Sequence, residues 1–277
     1  MARVKEPTKY GFRFLLPVLV LLALIFIFPI VLFLSKSIID PEITLRHFFN
    51  LFKNPVYIQV MWITFKTSFI VTVFCILLGY PVAYLLSSVS EHSRRLLMIL
   101  VLIPFWTSLL VRNYAWMVFL GRQGIINNLL ISLGIIKNPL KMLYTAFSVN
   151  VSMIQMMMPF MILAMFSVMK GIDRRLLSAA ESLGAGKFQT FLRIFLPLSM
   201  PGVGSGSLLV FIYSLGFFIT PALLGGRKDV MVSMLIEEQV SDLLNWGFAS
   251  ALAVILLVCT FFFFLIYSRF FKIEEIL

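Results

Sequence analysis

Six stretches of this chain are apolar over about the length of a membrane crossing and hold no Asp or Glu: roughly 14–34, 62–86, 96–111, 143–169, 202–224 and 248–270. About twenty such residues cross ~30 Å of hydrocarbon. In that medium the backbone must satisfy its own N–H and C=O groups, which leaves helices or a closed barrel. The strand-type alternation of a barrel is absent. The expectation is therefore an all-α integral membrane protein with six transmembrane helices. The third stretch is the shortest and can run past Arg112 towards Leu120. The first is longer than a secretory signal core, and Ser35-Lys36-Ser37 offers no small-x-small cleavage site, so it reads as a retained helix. One transmembrane domain, 14–270, is expected between an N-terminal tail, 1–13, and a C-terminal tail, 271–277.

Charged residues make up 13% of the chain against about 25% in soluble domains. Where the charge sits says more than the net +11. With the N-terminus inside, the inner segments carry 13 Lys and Arg and the outer ones nine. That bias favours both termini in the cytoplasm. No basic stripe forms away from the membrane flanks, so nucleic acid is not an expected partner. Cys75 and Cys259 both fall inside apolar stretches and read as small packing residues.

Catalysis finds little support. His47 and His92 fall in loops on opposite sides, HExxH is absent, and no acidic residue lies within the six stretches. An intramembrane enzyme would need such groups facing one another. No catalytic residue and no metal site is expected. Gly184-Ala185-Gly186-Lys187 resembles part of a phosphate loop, but that pattern requires Gly at 181 and Ser or Thr at 188, where Glu181 and Phe188 stand.

The segment 170–201, KGIDRRLLSAAESLGAGKFQTFLRIFLPLSMP, breaks the apolar pattern with Lys170, Arg174, Arg175, Glu181, Lys187 and Arg193. Asp173 can cap a helix whose apolar positions Leu176, Leu177, Ala180 and Leu183 recur at helical spacing. Gly184 is placed for a left-handed C-terminal cap. A second short helix carries Phe188, Phe191, Leu192 and Phe195 on one side, and Pro197 is expected to limit it. Two short helices joined by a glycine bend form an L-shaped knob, suited to docking a partner in water.

Other features admit two readings. Met153, Met157, Met161, Met165 and Met169 recur every fourth residue, as flexible packing or as a Cu(I) ladder; no Cys or His accompanies them. Lys66 and Arg112 are the charges nearest the hydrocarbon and can snorkel to headgroups; Arg112, followed by Asn113, Tyr114 and Trp116, can instead mark a pathway mouth. Gly202 and Gly206 fit a small-xxx-small pattern, for packing within this chain or against a second subunit. Glu237, Glu238 and Asp242 form an acidic group read as a solvated face or a docking point.

The central segment resembles the cytoplasmic signature of ABC importer permeases: Glu-Ala-Ala, three residues, Gly, nine residues, Ile-x-Leu-Pro. Here Ala179 and Ala180 precede Gly184 by three residues, and Ile194, Leu196 and Pro197 follow after nine; Ser178 stands in place of the usual Glu. The segments GYPVAY (79–84), IPFWTSLLVRNYAW (103–116), GIINNLL (124–130) and ITPALLGG (219–226) resemble the spermidine/putrescine-type permeases. The resemblance runs from about Trp62 to Ala251.

That resemblance implies a type I importer permease fold with a cytoplasmic coupling helix, in a bacterial inner membrane. It implies that Arg174, Arg175, Leu176, Leu177, Ala179, Ala180, Leu183, Gly184, Ile194 and Pro197 serve coupling to an ATPase homodimer. ATP and Mg would be bound by that partner, and no cofactor by this chain. A second, related permease subunit and an extracytoplasmic binding protein complete the expected complex. Polyamine is the leading substrate class, with opines, phosphonates and other small solutes as alternatives. Trp106, Arg112, Tyr213 and Phe217 are candidate pathway residues. A secondary transporter is the rival class, and would require mid-membrane charge or an inverted repeat.

Overall fold

The computed structural model of the protein describes residues 9–39 and 42–270. The expected tails at 1–8 and 271–277 lie outside the described residues; 9–13 already belong to the first helix. Backbone contacts divide the chain into two compact units, Met1–Pro55 with Leu235–Val258 and Val56–Met234 with Cys259–Leu277.

In the first unit, α1 (Lys9–Leu22), a π-helical turn (Ala23–Ile27) and α2 (Phe28–Ser35) form one continuous apolar rod. The π turn lies just ahead of Pro29, whose ring and missing N–H would otherwise disrupt the ladder. Helix α3 (Arg46–Lys53) follows. Trp246 receives the edge of Phe33 at 6.2 Å and Lys36 Nζ at 5.1 Å from its ring centre.

The second unit is built on α8 (Ala146–Gly171), against which α4 (Pro55–Ser88) and α11 (Leu196–Leu215) pack. The methionine ladder is the seam of this packing, because Met153, Met157, Met161, Met165 and Met169 are all buried. Glycines let the backbones approach. A Cβ on Gly202 would meet Met165 Cα at 3.1 Å, one on Gly206 Met161 Sδ at 2.7 Å, and one on Gly79 Met165 Cε at 3.2 Å. The small-residue face of α11 therefore packs within this chain rather than awaiting a second subunit.

Three expectations about helix limits are corrected. The single crossing expected at 96–111 is a broken pair, α5 (Glu91–Trp106) and α6 (Leu109–Leu120), with a 97° bend between Glu91–Trp106 and Leu109–Ser132. Thr107 Oγ1 donates to the Pro104 carbonyl at 2.9 Å, and Thr107 and Ser108 are extended, which ends α5 and turns the chain. Pro197 does not end a short helix. From Lys187 the chain is helical through α10 (Lys187–Thr190), a π turn (Phe191–Phe195) and α11, forming a 29-residue candidate span. The π turn ahead of Pro197 again relieves the proline, with Leu196 N–H reaching the Phe191 carbonyl. The fifth span consequently stops at Leu215, and Ile219–Leu224 is a separate helix, α12.

Five helices among the described residues are long and apolar enough to cross a membrane, six if the bent pair counts as one. The remaining helices are α7 (Ile125–Ser132), α9 (Arg174–Ser182), α13 (Val232–Ser241) and α14 (Trp246–Phe270); α13 and α14 contribute residues to both units.

Candidate coupling site and pathway surface

Helix α9 is closed at both ends by the residues its sequence supplies. The Asp173 carboxylate accepts from Arg175 N–H at 2.9 Å. At the other end Gly184 takes φ +89°, Ala185 N–H reaches the Ala180 carbonyl at 3.0 Å and Gly184 N–H that of Glu181 at 3.0 Å. Those two bonds form a Schellman motif, which fixes the direction in which the chain leaves the helix. Gly186 then opens α10.

None of the residues of α9 is buried. Leu183 is 89% exposed, Phe188 just beyond the bend 77%, and Leu176 49%. Arg175, Ala179 and Pro197 are exposed, while Ala180 and Ile194 are half-buried. Leu177 alone among the expected contacts turns inward, onto the α8 core. Ser178, where the signature has Glu, donates back to the Arg174 carbonyl at 3.4 Å. It makes no ion pair.

Three connections that the sequence alone does not show tie this end to α4. The Arg174 guanidinium donates to the Ser87 carbonyl at the C-terminal end of α4. Tyr84 meets the edges of Phe191 and Phe195 at 5.5 and 4.9 Å, and Tyr80 shares a hydrogen bond with Ser199 at 2.8 Å. The four-residue spacing of Tyr80 and Tyr84 was the available signal, since it puts both rings on one helical face.

The pathway candidates do not gather into one pocket. Trp106 is 77% exposed at the end of α5. Tyr213 stacks on Phe160 at 5.4 Å, and Phe160 meets Phe105 edge-on at 4.9 Å, a row across α11, α8 and α5. Phe217 packs against the core instead, and its carbonyl accepts from Ser233. Arg112 is half-buried, with Nε enclosed and without an acceptor among the described residues. Gln155, which the sequence reading passed over, lines an apolar cleft of about 310 Å³ with Pro104 and Pro159, and its Oε1 has no donor among the described residues.

Asn113 holds the α5–α6 bend to the core. Its Oδ1 accepts from Thr220 at 2.9 Å and Ser152 at 3.2 Å, and its Nδ2 donates to the Leu109 carbonyl at 3.0 Å. Ser148 likewise reaches the Leu224 carbonyl at 2.7 Å, tying α12 to the start of α8. No group of three or more His, Cys, Asp or Glu that could hold a metal occurs among the described residues.

The sequence profile of the binding-protein-dependent transport system inner membrane component family matches residues 67–272. The spermidine/putrescine transport system permease protein PotB of Haemophilus influenzae is 42% identical over 227 residues, covering 82% of this chain and 79% of that protein. PotB of Escherichia coli K12 is 34% identical over 235 residues, covering 85% of each. Among solved structures, a bacterial alginate ABC transporter in complex with an alginate pentasaccharide-bound periplasmic protein superposes with a TM-score of 0.79 at 20% identity, over 93% of this chain and 92% of the matched chain. At that identity the likeness speaks for the fold, an importer-permease bundle.

Proposed function

Because the chain belongs to the family of binding-protein-dependent transport system inner membrane components, we propose that it carries a polyamine of the spermidine and putrescine class across the inner membrane, as the permease subunit of an ATP-driven importer. It is a transport subunit, not an enzyme, in keeping with the transport permeases it is related to. The polyamine assignment is supported by relatives named for spermidine and putrescine that match over most of their length.

The observation that carries the mechanism is α9, a short helix clamped at both ends, from which Leu176 and, at its C-terminal end, Leu183 stand exposed among the described residues while Leu177 anchors it to the core. Its natural occupant is a groove on a separate ATPase. ATP and Mg belong to that partner, because this chain's glycine loop lacks the residues of a phosphate site. Closure of an ATPase homodimer would displace α9 as a rigid body. The Schellman bend passes that displacement to the span that begins at Lys187, and Arg174 passes it to α4. Both packed helices bear on α8.

A second, related permease subunit would face the aromatic row of Phe105, Phe160 and Tyr213. Polyamine ammonium groups interact favourably with such faces, and Gln155 Oε1 adds an acceptor. Arg112 repels a polycation, so its place is at the mouth of the pathway. Both termini in the cytoplasm put α9 on the ATP side, with an extracytoplasmic binding protein delivering substrate opposite.

The test is ATP hydrolysis by the reconstituted complex, with binding protein loaded in turn with spermidine, putrescine, an opine or a phosphonate. Polyamine-loaded protein should stimulate hydrolysis most. Stimulation by an opine or phosphonate instead would reassign the substrate, and no stimulation by any would remove the importer reading.

A further inference from the structure

Lys66 is a charge set inside an apolar span, and the structure gives it specific surroundings. It lies on the lip of a cleft of about 400 Å³ formed by Trp62, Phe65 and Phe69 of α4, Phe211 of α11 and Phe263 of α14. Three of the rings form a contiguous floor: Phe65 to Phe263 at 5.4 Å, Phe211 to Phe263 at 5.3 Å and Phe65 to Phe211 at 6.4 Å. Trp62 and Phe69 are exposed, at 68% and 64%. The ion pair found among the described residues is Arg95–Glu91, so Lys66 has no carboxylate partner there.

We propose that this cleft binds an anionic phospholipid, one acyl chain on the phenylalanine floor and the phosphate at the Lys66 ammonium. The arrangement follows the order of a lipid molecule. Trp62 stands about a turn nearer the N-terminal end of α4, as indoles do at the headgroup level, and Phe69 stands about a turn deeper. An ammonium among aromatic rings repels a polyamine, which separates this cleft from the substrate pathway and makes an anion the complementary headgroup. A second protein subunit is less well matched, because it would have to bury Lys66 against an acid of its own, whereas a lipid phosphate meets it at the membrane surface.

The test uses the full complex, purified in mild detergent and exposed to mixed phosphatidylglycerol and phosphatidylethanolamine, with retained lipid counted by native mass spectrometry. Wild type should retain phosphatidylglycerol preferentially. Lys66→Gln should weaken that preference about fivefold, the effect of about one cation at an anionic surface, and Lys66→Arg should restore it. Phe263→Ala should reduce retention of both lipids while leaving the preference. The proposal would be overturned by no headgroup preference in wild type, by an unchanged preference in Lys66→Gln, or by loss of the second permease subunit from the Lys66→Gln complex, which would make the cleft a protein interface. Competition by inorganic phosphate at millimolar concentration would equally overturn it, since a free-anion site needs no acyl chain.

Discussion

Arg174, the first residue of α9, donates its guanidinium to the carbonyl of Ser87 in the last turn of α4. The bond satisfies one of the carbonyls that every helix leaves open at its C-terminus, and it sets a positive charge at the negative end of the α4 dipole. It also makes α9 a branched lever, bonded to α4 as well as joined through the Gly184 bend to the helical run that ends in α11.

Arg174→Ala should therefore lower the solute moved per ATP hydrolysed in proteoliposomes, while ATPase still co-purifies. The bond lost is exposed, so the stability cost should be about 1 kcal/mol. Arg174→Lys, which keeps the charge but not the fork, should give an intermediate ratio. Joint loss of ATPase and transport would put Arg174 at the docking rim instead.

Gly184 separates backbone conformation from packing. At φ +89° an L residue is strained by about 1–2 kcal/mol, yet a Cβ there meets nothing within 4 Å. Gly184→Val should leave membrane insertion intact, lower detergent stability by no more than about 1–2 kcal/mol, and abolish uptake by redirecting the chain between α9 and α10. Gly184→Asn, which tolerates the left-handed region, should retain part of the uptake.

The glycines of α11 should behave differently from one another. A Cβ on Gly202 meets the Val168 Cβ at 3.0 Å and the Met165 backbone at 3.1 and 3.2 Å, whereas one on Gly206 meets the movable Met161 sulfur first, at 2.7 Å. Gly202→Ala should cost about 1–3 kcal/mol and Gly206→Ala less, read as thermal unfolding in detergent. Equal losses would mean that the two positions are not at the α8 seam in the way described.

What was legible in the sequence was local. Asp173 and Gly184 announce α9 because a cap is decided by neighbours along the chain. The stop at Leu215 and the bend at Thr107-Ser108 were not legible, since Ser, Thr and Gly inside an apolar run look alike whether a helix continues or breaks. Pro197 reads as a limit in the sequence because proline normally costs a helix its ladder, and a π turn ahead of it removes that cost. Gly202 and Gly206 signalled close approach, but only tertiary structure says that the partner is α8. Asn113 gave no pattern at all; its role rests on Ser152 and Thr220, 39 and 107 residues away.

Asn113→Leu should strip Thr220 and Ser152 of their shared acceptor, costing about 1–3 kcal/mol. The loss should show as lower thermal stability and as faster proteolysis between α5 and α6, where the bend is held. Asn113→Asp, which keeps an acceptor at the same place, should lose less if its carboxyl stays neutral.

The most direct test is recovery of the ATPase on affinity-purified permease carrying Leu183→Asp. Leu183 is 89% exposed, so the change costs this chain little of its own stability, but it places a carboxylate on the apolar surface at the C-terminal end of α9. The ATPase should be lost from the complex while the second permease subunit and the thermal stability of the chain are retained. Full ATPase recovery with Leu183→Asp would contradict the assignment of α9 as the surface through which ATP hydrolysis reaches the membrane.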